Sequence, residues 1–210
     1  MLIKSEIRII GWDDGPFESH RTEGSGAAEN QGFSSVRKKG KVVLVGVIFR
    51  GGNFFDGILK TEVDIDGFDS TEKIADAILK SKYGDLRIIM LDGITFGGYN
   101  VVDIKELCEK TGMPVIVVNR KKPDLEKFKA GMKNLPDYEK RLKAVKSAGE
   151  FYYAHLQSGK RLCFQKCGIE AKDAEEIIRI SSKHAAMPEP LRVAHLIASG
   201  FVLGESVGRA

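Results

Sequence analysis

Five apolar runs, each closed by turn residues, organise the first 120 positions of the chain. Glu6 to Trp12 is β-branched and ends at Asp13-Asp14-Gly15-Pro16, which predicts a strand followed by a tight turn. Lys41 to Phe49 is continuously apolar, as expected of a strand covered on both faces. Arg50-Gly51-Gly52-Asn53 predicts a hairpin, and Phe54 to Ile65 its return strand. Leu86 to Leu91 and Pro114 to Val118 complete the set. Between the last three, the spacing changes to that of helices. Asp69 or Ser70 caps one running to about Tyr83, with Ile74, Ala75, Ala77 and Ile78 on its apolar face; Val101 to Lys110 reads as a second, stopped by Thr111-Gly112. Farther on, Glu150 to Leu156 and Leu162 to Gln165 suggest a short strand pair. Ala171 to Ser181 and Pro188 to about Leu203 read as helices, the latter opened by Pro190.

A hairpin followed by strand and helix in alternation implies an α/β fold with a mixed five-stranded sheet flanked by helices, one domain over 1–210. Glu18 to Lys39 interrupts it. That stretch is rich in Gly, Ser, Glu and Asn and almost empty of large apolar side chains, so a mobile loop is expected at about 18–40. Charged residues make up 30% of the 210, and no apolar run approaches the roughly 18–20 residues of a membrane span, which excludes a helical membrane protein. The first residues meet Glu6 before any long apolar core, unlike a secretory signal. Cys108, Cys163 and Cys167 are odd in number and lack paired zinc-ligand spacing; they read as structural thiols of a reducing, cytoplasmic compartment.

Charge adds a partner. Arg120 to Lys146 holds ten basic and four acidic residues, so the net +4 of the chain is concentrated there and the remainder is slightly acidic. Such a stretch attracts polyanions, nucleic acid above all, or else is a solvated helical face. The acidic residues carry the chemistry. Asp13 and Asp14 end the first strand and Asp92 ends the fourth, while Asp69 and Glu72 stand at a helix start. Parallel strands of an open sheet bring their C-terminal ends to one edge, where ligands bind. Carboxylates gathered there repel unless a cation lies among them, and oxygen-only ligands favour Mg²⁺ or Mn²⁺. Asp-Gly is equally a favoured turn pair, which alone accounts for Asp13-Asp14-Gly15 and Asp92-Gly93.

Several segments resemble known sequences. Gly11-Trp12-Asp13, Leu91-Asp92-Gly93-Ile94, Met113 to Val118 and Pro188 to His195 occur in the order and near the spacing of endonuclease V. Ile10 to Phe17, Phe49-Arg50-Gly51-Gly52, Leu91 to Asn100 and Pro188 to Gly204 resemble more closely the archaeal endonuclease dU family, related to it. The resemblance implies a ribonuclease H-like, endonuclease V-like fold and a metal-dependent cut of a phosphodiester near a deaminated base, uracil by the family name. It also implies a site. Asp13 and Asp92 match the metal-binding aspartates, His195 the late Asp or His, and Arg120 a lysine near the scissile phosphate. The family's Phe-Arg-Glu pattern is replaced by Gly67-Phe68-Asp69, so Asp69 takes that place, with Glu72 in reserve and Asp14 assisting. No Pro-Tyr-Ile-Pro-like wedge is present.

Lys121, Lys122 and Arg192 are further phosphate contacts in this reading, although Arg192 is as readily an ion-pair partner of Glu189. Tyr99, after Gly97-Gly98, is a candidate to stack on a base. His20, His155 and His184 stand in no motif. Three functions therefore compete: a Mg²⁺- or Mn²⁺-dependent endonuclease in DNA repair, acting on DNA rather than RNA; a non-catalytic nucleic-acid-binding protein of nuclease-like fold; and a small-molecule phosphohydrolase. The last lacks any Walker or dinucleotide fingerprint.

Overall fold

In the computed structural model, residues 3–17 and 40–206 are described; the predicted loop falls outside them. The first strand, β1 (Arg8–Asp14), is followed by β2 (Lys41–Arg50), β3 (Phe54–Asp64), helix α1 (Ser70–Leu79) and β4 (Ile88–Asp92). A two-residue hairpin, β5 (Thr95–Phe96) and β6 (Asn100–Val101), leads into α2 (Ile104–Thr111) and β7 (Val115–Asn119). Helices α3 (Leu125–Met132) and α4 (Tyr138–Ser147), strands β8 (Tyr152–His155) and β9 (Arg161–Cys167), and helices α5 (Ala171–Ser181) and α6 (Glu189–Leu203) complete the chain.

The sheet has seven strands in the order β3-β2-β1-β4-β7-β9-β8. Its first five are the five expected from the sequence. The count rises to seven because the short pair does not stand apart: β9 continues the sheet antiparallel to β7, with Cys163 opposite Asn119 and Cys167 opposite Val115. β1, β4 and β7 run parallel, so their C-terminal ends share one edge. A second correction concerns residues 100–103. Asn100 and Val101 extend into the small hairpin, and α2 begins only after Asp103, whose carboxylate accepts from the backbone N–H of Lys105 and Glu106. A buried β-branched pair, Val101-Val102, favours extended chain over a first helical turn.

Strand alternation divides the core. Ile10, Trp12, Ile89 and Leu91 face Ile74 and Ile78 of α1 and Ile104 and Leu107 of α2. Ile9, Ile88, Met90, Ile116 and Val118 face Ala174, Ile177 and Ile178 of α5 and Leu191 of α6. Burying a side chain of this size contributes about 1.5–3 kcal/mol, and both faces do so along most of every central strand. α6 lies directly on β1: a Cβ on Gly11 would stand 2.6 Å from the backbone carbon of Pro190, so only glycine admits the helix this closely.

The basic stretch expected to hold nucleic acid becomes α3 and α4, packed on the small hairpin through Val101, Met132, Ala144 and Val145. Three of its ten basic side chains are locally paired: Lys129 with Glu126, Lys140 with Asp137, Lys127 with Asp124. Arg141 is buried. Its guanidinium donates to the carbonyls of Asp66, Gly67, Tyr99 and Pro136, tying α4 to the hairpin and to the β3–α1 turn.

Candidate active site

Register places two carboxylates side by side. Trp12 is opposite Leu91 in the parallel ladder, so the next residues, Asp13 and Asp92, step off neighbouring strands together. By alternation both share the α6 face with Gly11 and Met90. α6, seated on Gly11, runs along β1 and brings His195 to Asp13, its Nδ1 donating to Oδ2 at 2.9 Å. Asp13 Oδ1 accepts from the Asp14 N–H at 2.9 Å. Only 6% of Asp13 is exposed.

The pair is electrostatically strained. Burial, then the charge of Asp13, pushes the Asp92 carboxyl up to about 7, while Arg120 and His195 pull it down. Arg120 follows β7 on the same face as Ile116 and Val118, which explains why Asp92 feels it. Asp14 points to the opposite face of the sheet. Burial and Asp13 raise it too to about 7, although its Oδ2 accepts from the Gly97 N–H at 2.7 Å.

Other expected site residues are placed elsewhere. Asp69 stands in the turn after β3, immediately before α1, and β3 lies two strands from β1 in the sheet. Its Oδ1 accepts from Asn100 Nδ2 at 2.6 Å and from the Asp64 N–H at 3.2 Å, which makes it part of a clamp on the small hairpin. Glu72 is exposed on α1, within electrostatic reach of Lys110 at the end of α2. Neither joins Asp13 and Asp92. Tyr99 is not presented for stacking: its ring packs edge-on against Phe128, centroids 5.5 Å apart. Arg192 is engaged by Glu189, to which its Nε and a terminal nitrogen donate at 2.9 and 2.6 Å. Lys121 and Lys122 are exposed beyond β7, Lys122 lying over the Phe151 ring.

Sequence reasoning passed over Asn100 and Arg141. Asn100 accepts from the N–H groups of Asp69 and Ser70 and donates to the Asp64 carbonyl, so one amide stitches three segments. The Gly-Gly-Tyr-Asn sequence was its signal, a turn followed by a side chain able to both donate and accept.

Among the described residues, no three His, Cys, Asp or Glu side chains are gathered as an ion-holding group. Asp13 and Asp92, side by side on neighbouring strands, offer carboxylate oxygens, which suit a hard divalent cation. Mg²⁺ usually keeps several waters and binds through one or two carboxylates plus substrate phosphates, so the Asp13–Asp92 pair fits it without a third carboxylate.

The sequence model for endonuclease dU matches residues 5–202. The chain belongs to the endonuclease dU family. A UPF0215 protein of Methanothermobacter thermautotrophicus is 48% identical over 99% of this chain and 94% of its own. A protein of unknown function from Archaeoglobus fulgidus, solved by crystallography, is 36% identical with a TM-score of 0.76, covering 93% of this chain and 98% of that one. Endonuclease V of Ciona intestinalis, solved in complex with an inosine-containing DNA, has a TM-score of 0.53 at 14% identity over 90% of this chain and 82% of that one. At that identity the likeness is one of fold: this endonuclease dU family member has the endonuclease V-like architecture. Among its described residues, no helix is long and apolar enough to cross a membrane.

Proposed function

We propose that the protein is a Mg²⁺- or Mn²⁺-dependent endonuclease that hydrolyses a phosphodiester of nucleic acid, DNA rather than RNA, beside a deaminated base such as uracil, as a cytoplasmic repair enzyme. The observation that carries the reading is the Asp13–Asp92 pair at the sheet edge, a buried and a half-buried carboxylate on neighbouring strands whose repulsion a divalent cation relieves. The family description and the fold shared with DNA-bound endonuclease V support it.

In this mechanism Asp13 and Asp92 would hold the cation. When bound, it supplies Lewis acidity toward a phosphoryl oxygen and acidifies water. His195 fixes the Asp13 carboxylate through its Nδ1 proton, so the orientation of one ligand depends on α6. Arg120 stands beside Asp92 to meet the phosphate, and Lys121 and Lys122 extend that charge along the strand. Asp14 supports from the opposite face by holding Gly97.

Labelled oligonucleotides containing uracil, hypoxanthine or no lesion, incubated with Mg²⁺, Mn²⁺ or EDTA, test the proposal directly. Metal-dependent cutting that Asp92→Asn abolishes is the expected result. One observation favours a second reading, a non-catalytic binder: the third carboxylate is committed to the hairpin clamp. Binding of the same strands with no cutting under any metal would select it.

A further inference from the structure

Positive charge also gathers away from α3 and α4. The turn between β8 and β9 and the loop between α5 and α6 enclose a cleft of about 240 Å³, lined by Ser158, Lys160, Arg179, Ser182, Lys183 and His184 among others. No carboxylate lines it. Arg179 shares its charge with Glu176 on its own helix, but Lys160 and Lys183 have no acidic partner among the described residues. The volume is below the roughly 300–1,000 Å³ of pockets for drug-sized ligands. It suits a small oxyanion met by three or four cationic groups and two hydroxyls.

Topology ties this cleft to the proposed active site. β9 starts from the edge where β4 and β7 end, so the β8–β9 turn projects from that edge, one to two strands beyond Arg120 and two to three beyond Asp92. The other wall is anchored to α6. Glu189, buried in its first turn, accepts from the His184 N–H at 3.1 Å, and six residues later, about 9 Å along the helix axis, comes His195.

We propose that the cleft is a second phosphate-binding site, which takes a backbone phosphate of the nucleic-acid strand a few nucleotides from the bond to be cut. The proposal rests on the nuclease reading for its ligand, because an isolated phosphate group would satisfy the same chemistry in a free phosphorylated molecule. Lys160 and Lys183 supply the charge, and Ser158 and Ser182 the neutral polar contacts.

The test measures binding in EDTA, where nothing is cut, by fluorescence anisotropy of a labelled single-stranded oligodeoxynucleotide over a salt series. Lys160→Glu with Lys183→Glu is expected to weaken binding roughly tenfold or more and to flatten the log-affinity against log-salt slope by about two. Lys160→Glu alone, on an exposed turn, should give a smaller loss in the same direction; matching thermal midpoints confirm the fold. Wild-type affinity and slope in both variants overturn the proposal. Binding of pyrophosphate, lost in the variants, without any binding of the oligonucleotide also overturns it in favour of a free phosphorylated ligand. Metal-dependent cutting by the wild-type protein is scored separately: its absence defeats the nuclease reading and leaves the affinity comparison intact.

Discussion

The two faces of one sheet edge treat charge in opposite ways. On the α6 face, Asp13 and Asp92 stand together with a histidine and an arginine nearby, and the Asp92 carboxyl is driven far above its ordinary range. On the α1 side, Asp66, Asp69, Asn100 and Arg141 form a closed set in which each polar group meets a partner: the Tyr99 N–H donates to Asp66 Oδ1, Asn100 bridges to Asp69, and Arg141 collects four carbonyls. Fully satisfied polar networks fix structure. Carboxylates held against their own repulsion are the ones arranged for chemistry. The difference separates residues of the same type, two aspartates of one fold, into a proposed ligand and a brace.

Substitutions can break that division. The largest effect is expected for Asp92→Asn, which should abolish metal-dependent cleavage, by about a thousandfold or more, while oligonucleotide affinity stays near wild type. Turnover within a few-fold of wild type would return Asp92 to the class of turn residues. Next, Arg141→Met leaves several buried carbonyls without a donor and should lower stability by roughly 3–5 kcal/mol in urea denaturation. A shift below about 1 kcal/mol would show that the clamp does not hold the hairpin. Asp69→Asn keeps an acceptor oxygen for Asn100 and should cost less, about 1–2 kcal/mol, with cleavage retained. Loss of cleavage at unchanged stability would move Asp69 across the division and restore the three-carboxylate site.

The mildest test varies only the solution. Asp14 and Asp92 have folded-state pKa values of about 7, above the ordinary 3.8, so the folded protein holds more protons than the unfolded chain between those values. Stability should therefore fall as pH rises from about 4 to about 7 and level off above, by an amount on the order of a few kcal/mol. Added Mg²⁺ should recover part of it at pH 7.5 and none in Asp92→Asn. A melting temperature indifferent to both pH and Mg²⁺ would mean the pair is not strained.

The sequence announces some of this plainly and conceals the rest for definite reasons. Apolar runs such as Lys41–Phe49 and Pro114–Val118 form strands buried along most of their length, and their composition alone says so. Asp13 and Asp92 were readable as a pair because both follow such runs. Asp69 was not separable from them, since an aspartate that braces a neighbouring hairpin and one placed for a cation look identical until Asn100 comes within hydrogen-bonding distance, 31 residues away in sequence. Arg141 was hidden among lysines; nothing local distinguishes an arginine whose planar fork fits several carbonyls from one on a solvated face. The small hairpin at 95–101 is too short to show a period of two, which is why a helix was expected to start inside it.

Gly11 sets a tolerance for the whole assembly. With a hydrogen where other residues carry carbon, it lets Pro190 rest against the sheet, and the height of α6 is thereby gauged at one point. His195 rides on that helix five residues farther on, so its reach to Asp13 is calibrated from outside the cluster it joins. A single methyl group inserted at position 11 would act as a shim, tilting the helix and detuning the histidine without touching either of the groups that meet.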